Sequence, residues 1–488
     1  MASIKSLVGQ TLIYGLGTIV PRLLNYLLLT PFYTRIFDKG EYGSLTVLYA
    51  YVAFLLVFLT YGMETTFFKF SESEKNKDKV FSTASWSMLF STIPFAFIII
   101  FFNQDIANWM QYAANPNYIL WLGLIVSLDV FFSIPFAKLR QQDKAIRFTS
   151  IKLINITVNI GLNFLFLYVF KSAYDIDPQS TFGQYYSPEI GVGYVLIANL
   201  SSSAVVAILL LPELIKSQWK FDIQLWKRMM IYALPLLIVG LAAMINEVAD
   251  KLLLRNILPN SVNPMEQVGI YAANYKLAVL MTLFIQMFKY AAEPFFFKQA
   301  KEKNAKESYA AIMKYFVIFG LSIFLGVTMF LDWIKFFIGP QFHEGLKIVP
   351  IVLMANLFLG IYYNLSVWYK LTNKTHLGAI ISILGAFVTL LINFTMIPKF
   401  GYMASAWATF AAYAVMMILS WIWGQKHYTI KYPMGRIALY FGLSTVLYYT
   451  YYLLKFESII YQNILGVGLL IIFVSTALLL EKKELKLL

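Results

Sequence analysis

The chain has no cysteine, and among its 488 residues only three histidines occur, His343, His376 and His427. Disulfides and thiolate metal sites are therefore excluded, and three scattered imidazoles make no metal cluster. Charge is scarce as well: Asp, Glu, Lys and Arg together make 13% of the residues, against the ~25% usual in water-soluble domains. No Gly-rich phosphate-cradling loop and no nucleotide-binding domain occurs, which excludes ATP hydrolysis on this chain. Long polar stretches are missing too. The longest expected outer loop, about 171–188, carries Asp175 and Asp177 and is too short for a domain. No catalytic arrangement emerges, so any chemistry takes place within the apolar bulk of the chain.

That bulk is large. Hydrophobic residues make 59% of the chain and aromatics 17%, in runs of ~20 residues. Such runs suit spanning helices rather than the ~10-residue strands of a membrane barrel, so the expected fold is an all-α integral membrane protein. Fourteen spans are expected near 10–34, 43–69, 80–102, 117–138, 148–170, 190–212, 231–255, 267–291, 308–331, 346–369, 378–397, 402–424, 437–454 and 462–480. The opening MASIKSLVGQ is too weakly charged for a cleavable signal, and the apolar run after it is a full span. With the N-terminus inside, the inner tails and loops hold 24 basic residues and the outer loops 8. This excess places both termini on the cytoplasmic side. The net charge of +14 is then a positive-inside bias rather than a mark of nucleic acid binding.

Two halves echo each other. Glu64, Phe67, Phe68 and Lys69 form the pattern E-x-x-F-F-K, which returns at Glu293, Phe296, Phe297 and Lys298. Lys138-Leu139 returns at Lys370-Leu371, and Asn163-Phe164 at Asn393-Phe394, at nearly the same offset. Between the halves lies ELIKSQWKFDIQLWKR, with Trp219, Ile223, Trp226 and Met230 on one helical face and lysines around it. It reads as an amphipathic helix on the membrane surface. The expected organisation is a six-helix lobe over 1–212, this linker helix over 213–230, a second six-helix lobe over 231–424, and two additional, lipid-facing helices over 425–488. Equivalent spans run in the same direction, so the lobes are expected to be related by a pseudo-two-fold axis along the membrane normal, a transporter architecture.

Intramembrane charges mark the candidate site, because each costs at least ~2.5 kcal/mol in hydrocarbon and so faces a bundle interior or a wet cavity. Asn246, Glu247, Asp250 and Lys251 fall in one sector of about 140° on the seventh span. Arg22, one turn from Asn25, and Asp129 lie near mid-membrane. Glu64 and Lys289 lie in the inner third, Lys276 in the outer third, and Glu293 at the inner rim. Arg22 either lines a cavity or pairs with Asp129. Glu247 and Lys251 form an i,i+4 pair able to neutralise itself, which leaves Asp250 to face Lys276. Lys69, Lys152 and Lys314, near the inner ends, are expected to snorkel. Pro21, Pro235 and Gly240 either let the first helix of each half bend or serve packing.

The stretch IYGLGTIVPRLLNYLLLTPFYTRIFDKGEYGSLTVLYAYVAFLLVFLTYGMETTFFKF resembles the polysaccharide transporter family of bacteria, as do YALPLLIVGLAAMINEVADKLLLRN and VGIYAANYKLAVLMTLFIQMFKYAAEPFFFK. The resemblance extends over nearly the whole chain. It implies a flippase of lipid-linked O-antigen, capsule or exopolysaccharide units in the bacterial cytoplasmic membrane, working by alternating access. Its cargo is then an undecaprenyl-diphosphate-linked oligosaccharide, moved through membrane lipid, with a polysaccharide polymerase and a chain-length regulator as partners. In this reading Arg22, Lys251 and Lys276 stand where the resemblance needs cations, and with the polar intramembrane residues Asn25, Asn246 and Lys289 they are the expected cargo contacts. Glu64, Asp129, Glu247, Asp250 and Glu293 serve ion coupling, with Na+ or H+ and no other cofactor. Two rivals stand: a cation-coupled drug exporter of the same superfamily, and a membrane polysaccharide polymerase or glycosyltransferase.

Overall fold

A computed structural model describes residues 19–300 and 302–485, without the side chains of 290, 291, 293, 294 and 483–485. The described residues are helical between short links and contain no strand. In chain order the helices are α1 (19–36), α2 (Lys39–Thr60), α3 (Met63–Ser73), α4 (Lys77–Trp109), α5 (Pro116–Gln141), α6 (Ala145–Ile176), α7 (Gly193–Ile215), α8 (Ile223–Ile257), α9 (Pro264–Leu277), α10 (Val279–Gln299), α11 (Ala305–Met329), α12 (Pro340–Leu371), α13 (Thr375–Phe400), α14 (Tyr402–His427), α15 (Met434–Leu453) and α16 (Ile459–Leu485).

Among the described residues eleven helices are long and apolar enough to cross a membrane, and twelve if α9 and the first part of α10, bent by 54° at Ala278, make one span. The expected fourteen are not reached. The span at 10–34 begins outside the described residues, and α15 carries five tyrosines, which lower its hydropathy. Chain contacts divide the molecule into two units, Met1–Met244 and Ile245–Leu488, and the division falls inside α8. In the first unit α5 packs against α2, α4 and α7, and α6 packs on α7. In the second unit α14 packs against α12 and α13, and α11 against α12 and α15.

The linker differs from expectation. Residues 213–230 are not one surface helix but the end of α7, a non-helical turn over 216–222, and the first turns of α8. Its tryptophans are anchored rather than laid on a surface. The Trp226 indole donates to Ser87 Oγ at 2.7 Å, and Trp219 packs edge-on against Trp86. Asp222 ends the turn: its carboxylate accepts from the Leu225 amide at 2.9 Å and pairs with Lys79. Buried polar partners outweigh the amphipathic pattern here, since a satisfied indole in the protein is better placed than one competing with headgroups.

The last two helices also differ. They are not merely lipid-facing, because Glu481 on α16 is buried and pairs with Lys314 of α11, while the Tyr440 hydroxyl of α15 donates to it at 2.5 Å. Lys314 therefore does not snorkel. A buried lysine needs a partner more than an interfacial one does.

Besides a kink at Phe102 in α4, two breaks interrupt the helices near candidate charges. Tyr61 and Gly62 both take positive φ, 36° and 73°, between α2 and α3. Gly62 is required there twice over: a Cβ would stand 2.7 Å from Leu236 Cβ. The second break is at Ala278. Pro235 lies inside α8 without ending it, and Gly240 lets Val57 approach to 2.9 Å of where a Cβ would be, which is the packing role.

Candidate functional site

Each break has a charged residue beside it. Glu64 follows Gly62 by two residues, and Lys276 precedes Ala278 by two. Interrupted helices free backbone groups, and within a membrane these are tolerated only where protein or water satisfies them.

In the first unit Glu64 is half-buried and pairs with Arg140 at the end of α5. The Arg140 guanidinium lies 4.9 Å over the Phe68 ring, so the repeat motif supplies both the acid and an aromatic face. Asp129 stands at the middle of α5, accepts a hydrogen bond from Ser203 of α7 at 2.9 Å, and is otherwise exposed. Lys152 of α6 lies 4.1 Å over the Phe136 ring. The charges of Asp129, Glu64, Arg140 and Arg22 all act on it. Lys152 is thus held over an aromatic ring within electrostatic reach of these charges. Arg22 and Asn25 on α1 are exposed.

The exposure is informative. An exposed acid at the midpoint of a spanning helix faces either lipid or water, and the lipid side is too costly. The same argument holds for Arg22, Glu247, Lys276 and Lys289, all exposed within or beside spans. These exposed positions are therefore the candidates for contact with water or cargo.

In the second unit the four polar residues of α8 divide by burial. Asn246 is buried, and its amide is occupied at both ends: it donates to Ser382 O at 3.1 Å and accepts from Thr389 at 3.0 Å. It clamps α8 to α13, which is a structural role. Asp250 is buried with both oxygens engaged, one by Lys251 Nζ at 2.8 Å, the other by the Tyr271 hydroxyl at 2.6 Å. This differs from the expected i,i+4 pairing. Lys251 meets Glu247 only at its main-chain oxygen, 3.1 Å away, and its ion pair is with Asp250. The buried acid wins because a charge removed from water interacts more strongly than an exposed one. The charges that act on Lys276 are those of Lys251 and Glu247.

Tyrosines wall this region. Lys251 lies 5.5 Å from the Tyr271 ring centre and 5.1 Å from that of Tyr275. The Tyr271 and Tyr275 rings meet edge-on at 5.8 Å. Lys289 lies 4.7 Å from the Tyr363 ring centre. Glu293 is on α10, and its side chain is outside the described set. Among the described residues no three His, Asp or Glu side chains converge on a metal site.

Several participants were not expected from the sequence. Arg140, Ser203 and Tyr271 carry no local signal that sets them apart in the sequence. Glu213, taken as part of the linker, is buried and gathers Lys138 at 3.9 Å, Lys144 at 3.7 Å and Arg147 at 2.7 Å. One signal was available: Glu213 is the acid opening a segment whose other charges are mostly basic.

The repeat-related Asn163 and Asn393 sit in like surroundings. Both are buried, both donate to the carbonyl four residues back (Asn159 at 2.8 Å, Thr389 at 2.7 Å), and both accept a hydroxyl, from Tyr33 at 2.8 Å and Ser405 at 2.7 Å.

Residues 7–300 match the family model described as polysaccharide biosynthesis protein. The chain belongs to that family. It is a multi-pass membrane member, with mid-span charges held in hydrogen-bonded settings. No curated protein matches it by sequence. Among solved structures it is similar to the lipid II flippase MurJ in an inward closed conformation, with a TM-score of 0.69 at 14% identity, covering 96% of this chain and 99% of that one. It is also similar to an inward-facing multidrug resistance MATE family transporter, with a TM-score of 0.65 at 12% identity, covering 85% and 94%. A MATE structure in the straight conformation gives 0.60 at 12%, covering 86% and 95%. At such identities these likenesses concern the fold.

Proposed function

We propose that this family member is a flippase that moves an undecaprenyl-diphosphate-linked oligosaccharide from the inner to the outer leaflet of the bacterial cytoplasmic membrane. The observation that carries this reading is the charge gathered on α8 and α9 of a polysaccharide-family protein, with Lys251 paired to Asp250 beside the Tyr271 and Tyr275 rings and exposed Lys276 next in sequence to Tyr275. Cations among aromatic rings in the membrane favour an anion as cargo. A diphosphate-sugar headgroup supplies that anion, and crossing hydrocarbon unaided is prohibitive for it because its polar groups lose their water partners. Lysine and arginine replace the lost charge balance. Glu247 and Asp250 beside them keep the grip weak enough for release.

In this reading Arg22, Asn25, Lys251, Lys276 and Lys289 contact the headgroup. Asp129, Glu64, Glu247 and Asp250 serve coupling to Na+ or H+, or to the membrane potential, worth ~2.3 kcal/mol per charge per 100 mV. Two lobes of six helices alternate access around the site, the linker between them lies in the cytoplasm, and both termini face inward. A polymerase and a chain-length regulator receive the product. The protein is a transporter and not an enzyme.

Depletion of the protein is expected to strand lipid-linked oligosaccharide on the inner leaflet without blocking its synthesis. Failure of the intermediate to form at all refutes the flippase reading and favours the polymerase or glycosyltransferase. Arg22→Ala and Lys276→Ala are expected to lower translocation with expression intact, and full activity in both removes these residues from the site. The drug exporter remains the second reading, favoured by the fold likeness to MATE transporters and by exposed Glu247. Export of cationic dyes by reconstituted protein, with no movement of lipid-linked saccharide, selects it.

A further inference from the structure

The repeat puts α6 and α13 in register through Asn163 and Asn393, but the links that follow them differ. In the second unit α13 passes into α14 through Gly401 alone. In the first, residues 177–192 stand between α6 and α7, at the end of the unit opposite its basic one. A link of this length that is folded rather than slack is uncommon and usually functional. This one is folded. It makes two turns of 3₁₀ helix, Gly183–Tyr185 and Pro188–Ile190. The Tyr194 hydroxyl accepts from the Ser187 amide at 2.7 Å and donates to Tyr185 O at 3.3 Å. The Tyr118 hydroxyl donates to Ile190 O at 2.7 Å. Gly183 is buried where a Cβ would stand 2.5 Å from Asp177 O, so the segment closes on itself as a cap.

Aromatic rings support the cap. Tyr186, Tyr194, Phe166 and Phe170 form a continuous run, each ring centre 5.2 to 5.9 Å from the next. Phe182 and Tyr185 both pack on Phe170, at 6.1 and 5.6 Å, yet stay 54% and 62% exposed. Asp175, Asp177, Gln179, Gln184 and Glu189 are exposed on the same segment. Asp175 pairs with Lys171 at 2.9 Å, Asp177 accepts from the Gln179 amide at 2.9 Å, and Gln184 donates to Thr181 O at 3.1 Å. A carboxylate offers about four acceptor sites, so these contacts leave capacity for a ligand. Rings that anchor a protein to anionic lipid are rimmed by lysine or arginine. Here Lys171 is the one cation in 171–192, against three acids, and it is already paired.

We infer that the cap over 177–192 binds saccharide, with the Phe182 and Tyr185 rings against the C–H face of a sugar and the surrounding carboxylates and amides on its hydroxyls. A pyranose presents both chemistries: an apolar face of C–H bonds and a rim of hydroxyl donors. The negative face of an aromatic ring attracts C–H groups, and burying them removes apolar surface from water. A ring already packed on Phe170 loses little freedom when a ligand covers it. Carboxylates accept the hydroxyls in charge-assisted bonds, and they repel phosphate. This deepens the flippase reading by giving the glycan of a delivered unit a holding place apart from the intramembrane charges. It rests on that reading for the side of the membrane that the cap faces and for the natural glycan.

The test uses the purified full chain in nanodiscs and saturation-transfer NMR. The probes are the lipid-free repeat oligosaccharide of the source bacterium's surface polysaccharide and, as a headgroup control, glycerol 3-phosphate. Magnetisation is expected to pass to the C–H protons of the oligosaccharide and not to glycerol 3-phosphate. F182A/Y185A is expected to weaken oligosaccharide binding at least tenfold, D177N/E189Q severalfold, and F182W/Y185W to keep it within about threefold. The tryptophan pair guards against a misfolded alanine variant. Binding unchanged in F182A/Y185A overturns the site, and equal transfer to glycerol 3-phosphate overturns the saccharide assignment. No transfer to the oligosaccharide overturns it too, and leaves the rings as a protein-docking face or an interfacial anchor. The two proposals fail separately. Ring-dependent oligosaccharide binding in a protein that moves no lipid-linked saccharide refutes the flippase reading alone. Translocation without ring-dependent binding refutes the cap site alone.

Discussion

The two units handle their intramembrane charge differently. In the first, acids at the basic end are tied to cations around the α5–α6 turn: Glu64 to Arg140, and Glu213 to Lys138, Lys144 and Arg147. These pairs join helices that are distant in sequence, so they act as latches. In the second unit the central ion pair is between neighbours on one helix, Asp250 and Lys251, braced by Tyr271. Such a pair latches only α8 to α9. Lys276 and Lys289 stay exposed around it. The second unit has one such long-range latch, Lys314 to Glu481, but holds its central acid within a single helix.

The largest expected effect falls on the latch. Glu213→Ala leaves Lys138 buried without its acid, and breaking a buried pair costs about 3–5 kcal/mol. Thermal unfolding of the purified protein is expected at clearly lower temperature than for Lys144→Ala, whose side chain is exposed. Equal melting temperatures break the latch description. Next comes the pair that docks α16. Lys314→Met alone is expected to destabilise by a similar amount, and Lys314→Met with Glu481→Leu to recover most of it, because a well-packed apolar pair replaces a buried ion pair at little cost. A double variant no better than the single contradicts this.

In the second unit Tyr271→Phe removes one bond to a charged carboxylate, worth about 1.5–3 kcal/mol, and is expected to show in chemical unfolding without loss of insertion. Asn163→Ala and Asn393→Ala sharpen the comparison of the halves. Each leaves a buried hydroxyl partner short of an acceptor, for about 1–3 kcal/mol, and the two costs are expected to match. Unequal costs mean that the likeness of their surroundings is only geometric. The smallest effect concerns Asp222, whose carboxyl is held below the ordinary ~3.9 first by Lys79 and then by the Leu225 amide. A lowered acid stabilises above its unfolded value and loses that contribution as pH falls through the folded one. Melting curves of Asp222→Asn and wild type are therefore expected to converge below that range and to separate slightly above it.

Much of the architecture was legible because hydrocarbon imposes it. Apolar runs of span length, and the basic bias of alternate loops, reflect solvation costs that need no tertiary information. Charges in α5, α8 and α9 were legible as site candidates for the same reason. Their partners were not. The i,i+4 spacing of Glu247 and Lys251 favoured a local pair, yet Tyr271 draws Asp250 inward and Lys251 follows it. The 213–230 segment had the right periodicity for a surface helix, but Ser87 and Lys79 on α4 supplied better partners for Trp226 and Asp222. Lys314 and Glu481 are 167 residues apart, and nothing local in either helix announces the other.

The chain by itself determined that it lives in a membrane, that it is helical, and which residues are too polar for lipid. Composition and spacing suffice for these, since each residue's transfer cost is nearly independent of its neighbours. Only the tertiary structure decided which charge meets which. It set Asp250 against Lys251 and Tyr271 and closed Glu213 around Lys138. Pairing depends on distances between helices far apart in the chain, and in a low dielectric a few ångströms decide which acid a lysine meets.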